Sequence, residues 1–338
     1  MTRVFVLMSG GVDSSVSALL LKKMGFDVVG VHLKMTSLNN CSWNDWYDAQ
    51  KVAEILDIPL YTYDISREYE ELIMKRTLEG YKSGITPNPD VWCNSEIKFG
   101  IFMKKFIEEN SFIASGHYAR KTNDNLIAMA KDKNKDQTYF LWQINKDILP
   151  RIIFPIGNFL KSEVRKIAKE ANLPVADKKD SQGLCFVGKI KFIDFLKSKF
   201  SPQIGDVIDS SGKVIGKHYG YFYYTLGQRH GFWAPNGPWY IVDKDPEKNI
   251  IKVAKEKEES LWKKEIFFDN ENFFIDLKNS IKVNLRVRYR QELVEGILFP
   301  FEKRVTLKTK VKVPTPGQSI VFYKNETLIG GGVIKEAF

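Results

Sequence analysis

Along the first two thirds of the chain, two patterns of hydrophobic residues alternate. Short apolar runs with a β-branched bias occur at residues 4–8, 27–33, 60–63 and 112–115, and the first three are followed by segments with apolar residues three and four positions apart. The short runs predict buried strands, and the longer period predicts amphipathic helices. Strands that alternate with helices at this spacing predict an α/β doubly wound parallel sheet, with ligands bound at the carboxyl ends of its strands.

The pattern changes to a period of two beyond residue 202. Residues 205–216 resemble a hairpin, and from Val283 to Arg290 the valines and the leucine share one face while Asn284 and the three arginines share the other. This alternation predicts a small mixed or β central domain and then a C-terminal β-barrel. We expect domain boundaries that give residues 1–200, 201–262 and 263–338.

Length and composition indicate several domains and exclude some classes of protein. The chain has 338 residues and 43% hydrophobic residues, which is sufficient for two or three cores. No apolar run approaches the ~18 residues that span a bilayer, and the first run is too short for a signal peptide, so the sequence predicts a cytoplasmic protein. Three cysteines without a Cys-x-x-Cys pair argue against a disulfide scaffold and a cysteine-rich metal site, so we predict no metal site built from protein ligands alone.

Positive charge is concentrated near the C-terminus. The net charge is +10, and residues 278–312 contain ten lysines and arginines against three glutamates. Such an excess predicts either a polyanionic partner or a solvated basic face, and composition alone leaves both open.

The turn after the first strand carries the clearest chemical signal. Adjacent Gly10 and Gly11 leave backbone N–H groups unobstructed at a helix N-terminus, where they favour an anion such as phosphate. The turn is neither a Walker A loop nor a Gly-x-Gly-x-x-Gly loop, and an ordinary βα turn is the alternative. It resembles the pyrophosphate loop of the ATP pyrophosphatases, which split ATP into AMP and pyrophosphate while they adenylate a substrate oxygen. Its residues are Ser9, Gly10, Gly11, Val12, Asp13, Ser14 and Ser15, of which Asp13 and the serines offer a magnesium contact and further donors.

A second informative stretch covers residues 84–94. Two prolines flank Asn88 and stiffen a loop, and we expect a helix to begin near Asn94. Cys93 at a helix start meets N–H dipoles that lower a thiol pKa from ~8.5 to roughly 3.5–7.5. Cys93 is therefore either a nucleophile, with Asp90 to hold or accept a proton, or a buried inert cysteine.

Cys185 is a second candidate thiol. It follows Lys178 and Lys179 in a glycine-containing loop, and their charges favour a thiolate. Because 92 residues (185 − 93) separate it from Cys93, the sequence does not show whether the two meet.

Further residues are candidates for ligand contacts, and Met35, His117 and the charged residues 131–137 each have a structural alternative. Met35 ends the second strand and lines either an adenine pocket or the core. Gly116 permits close approach of a ligand, and His117 is a ligand contact or a structural histidine. The charged residues 131–137 either touch phosphate or are solvated.

Eight separated motifs together resemble one family. The chain is similar to the bacterial tRNA-specific 2-thiouridylases (tRNA-uridine 2-sulfurtransferases) of the pyrophosphate-loop ATP pyrophosphatase superfamily. It departs from them in short segments at 35–46 and 231–238, which leaves the role of Cys41 open. The motifs are Ser-Gly-Gly-Val-Asp-Ser-Ser (9–15), Thr-Pro-Asn-Pro-Asp-Val-x-Cys-Asn (86–94), Gly-His-Tyr (116–118), Lys-Asp-Gln (135–137), Asp-Ser-x-Gly-x-Cys-Phe (180–186), Thr-Leu-Gly-Gln-Arg (225–229), Arg-Tyr-Arg-Gln (288–291) and Thr-Pro-Gly-Gln (315–318).

The resemblance implies ATP-dependent thiolation at C2 of the wobble uridine in tRNAs for Lys, Glu and Gln. It implies an adenine-nucleotide α-hydrolase-like catalytic domain, a central tRNA-binding domain and a barrel, with ATP, magnesium, and a cysteine desulfurase or sulfur-relay protein as partners. It assigns Cys185 as persulfide carrier and Cys93 as nucleophile, ending as a disulfide, with Asp90 as base or positioning group. The implied ATP contacts are Met8, Ser9, Gly10, Gly11, Val12, Asp13, Ser14, Ser15, Met35 and Gly116; the target-base contacts are Asn88, Pro89 and Asp90; and the tRNA contacts are His117, Lys135, Asp136, Gln137, Arg288, Tyr289 and Gln318.

Two other functions remain as alternatives. An amide synthetase with the same loop would use ATP without sulfur and would not need Cys185. A non-catalytic RNA-binding module would explain the basic barrel but would release no pyrophosphate.

Overall fold

The structure is a computed structural model that describes residues 1–35, 41–106, 110–180 and 192–338, with only the backbone of Cys41, Ser42 and Phe106. The chain divides into two compact units rather than three. The division into domains 1–200, 201–262 and 263–338 therefore stays a prediction. The first unit is Met1–Ile73, Asp90–Lys189 and Glu326–Ile329, and the second is Met74–Pro89, Ile190–Asn325 and Gly330–Phe338.

A parallel sheet forms the centre of the first unit, as the sequence predicts. Its strand order is β3-β2-β1-β4-β7, and all its pairings are parallel. The order changes direction between β1 and β4, which is where doubly wound sheets bind ligands. The strands of this unit are β1 (Arg3–Leu7), β2 (Asp27–Lys34), β3 (Leu60–Asp64), β4 (Phe112–Ser115), the hairpin strands β5 (Ala119–Lys121) and β6 (Ile127–Met129), and β7 (Ile152–Ile153).

The first helix packs on this sheet and ends where the sequence predicts. Val16 on the helix and Val6 on β1 are fully buried in one core. Met24 forms the C-cap, and Gly25 follows with a φ of 84°, a conformation that glycine adopts without strain. The α-helices of the described chain are α1 (Val12–Lys23), α2 (Cys41–Ile55), α3 (Ser66–Tyr69), α4 (Lys75–Lys82), α5 (Pro89–Trp92), α6 (Phe102–Phe106), α7 (Lys161–Glu170) and α8 (Phe192–Lys199).

Short helical segments of other types connect these elements. The π-helical segments are Glu70–Met74 and Cys93–Ile101, and the 3₁₀ segments are Thr138–Phe140, Lys146–Arg151, Tyr221–Tyr223 and Glu259–Leu261.

The helix expected to begin near Asn94 begins earlier, so that expectation was wrong. It begins at Pro89 and continues through the π segment and α6. Proline is favoured at the first helical position, because its φ already suits a helix and its missing N–H needs no partner there. Pro87 and Pro89 read alike in the sequence, as loop residues, but Pro89 begins the helix.

The second unit contains a four-stranded sheet and the predicted hairpin. The sheet order is β10-β11-β8-β9, and β8 pairs with β9 antiparallel. The aromatic residues 221–224 are buried in the core of this unit. The strands are β8 (Gly205–Ile208), β9 (Val214–His218), β10 (Tyr240–Asp245) and β11 (Ile250–Ala254).

A closed six-stranded barrel confirms the predicted C-terminal architecture. Its order is β12-β15-β14-β13-β16-β17, and pairing of β12 with β17 closes the ring. The strands are β12 (Trp262–Phe273), β13 (Ile281–Arg286), β14 (Val294–Phe299), β15 (Arg304–Lys312), β16 (Ser319–Lys324) and β17 (Thr327–Ala337).

The predicted polar face of β13 needs a correction. The strand ends at Arg286 and not at Arg290, which has a φ of 63°. Arg286 is only 7% exposed, and its guanidinium lies 5.9 Å from the ring centre of Tyr323. Alternation indicates which face a residue occupies, but it does not show what covers that face.

Among the helices that the structure describes, none has the length and apolar character needed to cross a membrane.

Candidate active site

The turn between β1 and α1 adopts a conformation that requires glycine. Gly10 has a φ of 70°, and a Cβ built on it would lie 2.0 Å from the backbone oxygen of Asp45. Gly11 is the N-cap of α1 and provides no side-chain cap. First-turn N–H groups of α1 therefore remain for another acceptor, and an anion is favoured there by the helix dipole.

Serine hydroxyls close this turn internally. Ser14 Oγ donates to the Gly11 carbonyl at 3.1 Å and lies 3.2 Å from Ser9 Oγ, while Ser15 Oγ donates to the same carbonyl at 2.8 Å. Both Ser14 and Ser15 are buried. These hydroxyls hold the turn in shape, and their contact with phosphate stays a prediction.

The end of β4 packs directly against the start of α1. A Cβ on Gly116 would lie 2.7 Å from the backbone nitrogen of Ser14. The close approach that Gly116 permits is therefore, in this structure, that of the protein backbone. A larger residue here would push β4 away from the turn at the sheet's ligand-binding edge.

A lysine absent from the sequence argument pairs with the acid of the turn. Lys161 Nζ lies 2.7 and 2.8 Å from the two carboxylate oxygens of Asp13, and the side chain of Lys161 is only 12% exposed. The Tyr118 hydroxyl donates to Asp13 at 2.9 Å. Burial, and then the neighbouring charge of Asp13, raise the pKa of Tyr118, so this hydroxyl stays a donor.

Asp180 extends the same network of charges. It accepts from Lys161 at 2.8 Å, from Lys135 at 2.6 Å and from Arg165 at 2.8 Å. Burial acts to raise the pKa of Asp180, but the hydrogen bonds from Lys135 and Lys161 outweigh it and lower the pKa to about 2. Lys161 therefore links the acid of the turn to a carboxylate that stays ionised.

Lys178 contacts the turn from its other side. Its Nζ donates to the Gly10 carbonyl at 2.9 Å, to Asp45 at 2.8 Å and to Asp48 at 2.6 Å. Burial acts to lower the pKa of Lys178, but hydrogen bonds to both carboxylates outweigh it and raise the pKa. From its place in the sequence, Lys178 is expected to favour a thiolate at Cys185, whereas in the structure its charge lies against the Gly10 turn.

We expect Lys178→Met to raise the KM for ATP about tenfold with a smaller change in kcat, because Asp45 and Asp48 would face an anionic ligand without their cation. Steady-state pyrophosphate release at varied ATP measures this effect. Lys169→Met is the matched control, since Lys169 pairs with Asp177 in an exposed ion pair. An equal KM for ATP in Lys178→Met and Lys169→Met would contradict a contribution of Lys178 to ATP binding at this turn.

Cys93 is deeply buried within its helix. It is 1% exposed and is the fifth residue from the helix start at Pro89, whereas Asp90 is the second. Dipole effects fall off within the first turn, so the argument for a dipole-activated thiolate at Cys93 is weaker than the sequence suggested. The role of Cys93 as nucleophile stays a prediction.

His117 is neutral in its environment. Its Nδ1 lies 2.8 Å from Ser115 Oγ, and its ring lies 6.1 Å from that of Phe99. Burial, and then the charge of Lys98, hold the pKa of His117 well below its ordinary value. Any tRNA contact of His117 is therefore that of a neutral imidazole.

The Lys-Asp-Gln motif is mainly built into the fold. Asp136 is 2% exposed and accepts from the backbone of Ala130 at 3.0 Å and from Thr138 Oγ1. Gln137 accepts from the backbone N–H of Tyr118 at 2.9 Å. The tRNA contacts assigned to this motif stay a prediction.

Residues from four of the eight motifs meet within the second unit. Gln318 donates to the carbonyls of Thr86 and Pro87 at 3.0 and 2.9 Å, and Asn88 donates to Ser319 Oγ at 3.1 Å. Arg288 donates to the Leu226 carbonyl at 3.0 Å and to that of Val313. A cavity of about 390 Å³ lies between these segments, lined by Thr86, Thr225, Gly227, Gln228, Arg288 and Gln318 among others.

For the other residues predicted to lie in the site, the structure gives only their position and burial. Met8 is buried, Met35 is partly exposed just beyond β2, and Tyr289 is partly exposed beyond β13. Cys185 lies outside the described residues, as does the side chain of Cys41, so the meeting of Cys93 and Cys185 stays a prediction. In the part of the chain described, no group of three acidic, histidine or cysteine side chains forms a metal cluster.

The position of Lys161 at a helix start is a sequence signal for its role. Lys161 is the first residue of α7, where the positive end of the helix dipole disfavours a cation. A lysine at such a position indicates a compensating anion nearby. Its partner Asp13 is 148 residues away, so only the fold identifies it.

This geometry defines a class of protein. A glycine turn at the switch point of a parallel sheet, with no side-chain cap and with lysines on two sides, is typical of α/β proteins that bind a nucleotide phosphate there, and this chain carries additional β domains. Three family models match in succession: the tRNA methyl transferase HUP domain at residues 2–189, the tRNA methyl transferase PRC-barrel domain at 193–255, and the aminomethyltransferase beta-barrel domain at 263–334.

Curated relatives identify the family within this class. The chain is 42% identical over 347 residues to the tRNA-specific 2-thiouridylase MnmA of Chlamydia trachomatis serovar L2, covering 98% of this chain and 97% of that protein. It is 41% identical over 355 residues to the tRNA-specific 2-thiouridylase MnmA of Bacillus subtilis strain 168, covering 100% and 96%. The chain belongs to the tRNA-specific 2-thiouridylase family.

Proposed function

We propose that this protein uses ATP to activate the C2 oxygen of the wobble uridine in tRNA and then replaces that oxygen with sulfur. The observation that carries the proposal is the Ser9–Ser15 turn at the sheet's switch point, in a chain that aligns with 2-thiouridylases over nearly its whole length. The uridine C2 oxygen attacks the α-phosphate of ATP, which releases pyrophosphate and leaves an adenylated base. Adenylation converts a poor leaving oxygen into a good one.

The phosphates of ATP are assigned to the backbone of Gly10 to Ser14 and the adenosine to the neighbourhood of Met35 and Gly116. Mg²⁺ is held in proteins by one or two carboxylates plus substrate phosphates. The Asp13 carboxylate fits as its protein ligand if Lys161, which contacts both Asp13 oxygens, releases one of them. When bound, the ion offsets phosphate charge. Lys161 and Lys178 contribute positive charge to the same turn.

The target base is assigned to the segment Asn88-Pro89-Asp90. A wobble uridine lies in a single-stranded loop, so removing it from its stack costs little and an extruded base can enter a pocket. The helix start at Pro89 and the hydrogen bond from Asn88 to Ser319 support a rigid segment here. The substrates proposed are the tRNAs for Lys, Glu and Gln.

Sulfur is proposed to arrive as a persulfide on Cys185, from a cysteine desulfurase or a relay protein. The Cys93 thiolate attacks the Cys185 sulfur atom, which forms a Cys93–Cys185 disulfide and releases hydrosulfide. Hydrosulfide attacks C2 and expels AMP, so that the base gains one sulfur atom in place of one oxygen atom. A thiol reductant then restores both cysteines, and Asp90 serves as base or positioning group.

Mass spectrometry of nucleosides tests the proposal directly. We expect 2-thiouridine in tRNA incubated with the enzyme, ATP and a persulfide donor, and none when ATP is omitted. Absence of the product where a known 2-thiouridylase forms it would refute the assignment.

We expect Arg288→Ala to weaken tRNA binding and to lower the slope of log K against log salt by about 1, because one phosphate contact would be lost. Filter binding across a salt series measures the slope, with Arg67→Ala as control because the Arg67 side chain is 87% exposed in the first unit. Arg288 also donates hydrogen bonds to the Leu226 and Val313 carbonyls, so the variant could be less stable. The thermal unfolding midpoint of the variant is therefore measured as well. An unchanged slope in a folded variant would remove Arg288 from the tRNA contact surface.

A further inference from the structure

A second groove in the second unit combines exposed tryptophan with lysine. Its volume is about 590 Å³, and it is lined by β9 and by the segment that carries Trp233 and Trp239, with Lys213, Lys217 and Lys255 around it. We call it the Trp233 groove. None of the eight motifs described above includes these residues.

The Trp233 ring is held on a rigid backbone although it faces solvent. Trp233 is 67% exposed, yet its backbone N–H and C=O both pair with Lys217, each at 3.1 Å. Gly216 allows this pairing, since a Cβ there would lie 1.9 Å from the Trp233 carbonyl oxygen. The Trp239 indole N–H donates to the Pro235 carbonyl at 2.7 Å, which fixes the second ring. The backbone that carries Trp233 and the indole of Trp239 are therefore both held in place before any ligand arrives.

The charges around the groove leave a positive excess. The side-chain ammonium groups of Lys213 and Lys255 form no ion pair among the described residues, and Lys255 Nζ lies 4.9 Å from the centre of the Trp239 ring. The Lys255 backbone N–H donates to Glu258 Oε1 at 2.7 Å. Lys217 pairs with Asp206. The one acid in the lining, Asp209, is engaged by its own turn, since it accepts hydrogen bonds from Ser211 and from the Lys213 backbone N–H.

We propose that the Trp233 groove binds an unpaired nucleotide of the RNA substrate, with the base stacked on Trp233 and its phosphate held by Lys213 and Lys255. A rigid exposed indole beside lysines suits a nucleotide, because every base can stack on an aromatic ring while its phosphate needs a cation. A base-paired stem offers no free base face, so the groove selects single-stranded segments. The choice of RNA rests on the proposed function, because tRNA is the substrate of that reaction.

Fluorescence anisotropy with labelled single-stranded hexauridylate, without ATP or a sulfur donor, tests the groove. We expect Trp233→Ala to bind it about tenfold more weakly, which is the scale of one lost base stack. Phe301→Ala, which removes a 78% exposed aromatic from a barrel turn, should bind as the parent does. The double variant Lys213→Ala/Lys255→Ala should reduce the salt slope by about 0.7, the value for one single-strand phosphate.

A duplex RNA of similar length separates stacking from charge. Trp233→Ala should leave its affinity unchanged, and Trp233→Phe should retain most of the hexauridylate binding. Equal hexauridylate affinity in Trp233→Ala and Phe301→Ala, as expected if a protein partner occupies the groove instead, would overturn the proposal. Because binding is measured without catalysis, failure to form 2-thiouridine would leave this result unaffected.

Discussion

Cys185→Ser should lower 2-thiouridine formation roughly 10⁴-fold or more, the scale on which loss of a catalytic nucleophile acts, while tRNA-dependent pyrophosphate release continues. A serine hydroxyl cannot carry sulfane sulfur, so the transfer step lacks its donor. The proposed adenylation step uses the turn at residues 9–15 and would not need this thiol. Pyrophosphate release and nucleoside mass spectrometry, measured on the same reaction, separate the two steps.

Two further cysteine variants sharpen this result. Cys41→Ser should keep full activity, because the proposed transfer uses only the other two cysteines. Cys93→Ser should also lose 2-thiouridine but should accumulate Cys185 with one extra sulfur atom, detectable by peptide mass. Full thiolation by Cys185→Ser would refute the sulfur route, and pyrophosphate release with no thiolation by the unmodified enzyme would favour the amide synthetase alternative.

Lys161→Met should lower tRNA-dependent pyrophosphate release by roughly 10²–10³-fold, which is the typical cost of losing one group that stabilises developing charge. Lys161 bridges Asp13 and Asp180, and its side chain is 12% exposed, so its charge acts where water screens it little. Methionine keeps a similar length and an apolar stem beside the Tyr118 ring, 5.8 Å from the lysine Nζ. The measurement is the single-turnover rate of pyrophosphate release at saturating tRNA.

Lys166→Met is the matched control for this variant. Lys166 lies on the same helix, but its side chain is 77% exposed and pairs with Glu170 on the surface. Loss of Lys161 also leaves Asp13 and Asp180 without a shared cation, which destabilises a partly buried site. Thermal midpoints of both variants therefore accompany the rates, and an unchanged rate in a folded Lys161→Met would show that Lys161 has only a structural role.

Local patterns predicted the architecture well because each element carries its own signal. The strand-turn-helix at residues 3–23, the parallel sheet and the barrel all follow from periodicity, glycine placement and alternation, whereas the strand order that sets the switch point does not. The start of the helix at Pro89 was missed because a proline favours a loop and a first helical position equally well.

The sequence by itself determined the class of site: a glycine turn before a helix can form an anion site wherever it lies, because the geometry is local. Only the tertiary structure decided which cations serve that turn, since Lys161 and Lys178 reach Asp13 and the Gly10 carbonyl from 148 and 168 residues away. It also decided that the Lys178 charge lies against the Gly10 turn, and that Asp136 is buried although it stands in a charged run. The physical reason is that the energy of a charge pair depends on the distance between its members and on their burial. Folding sets both quantities, and no local sequence pattern relates residues that lie so far apart in the chain.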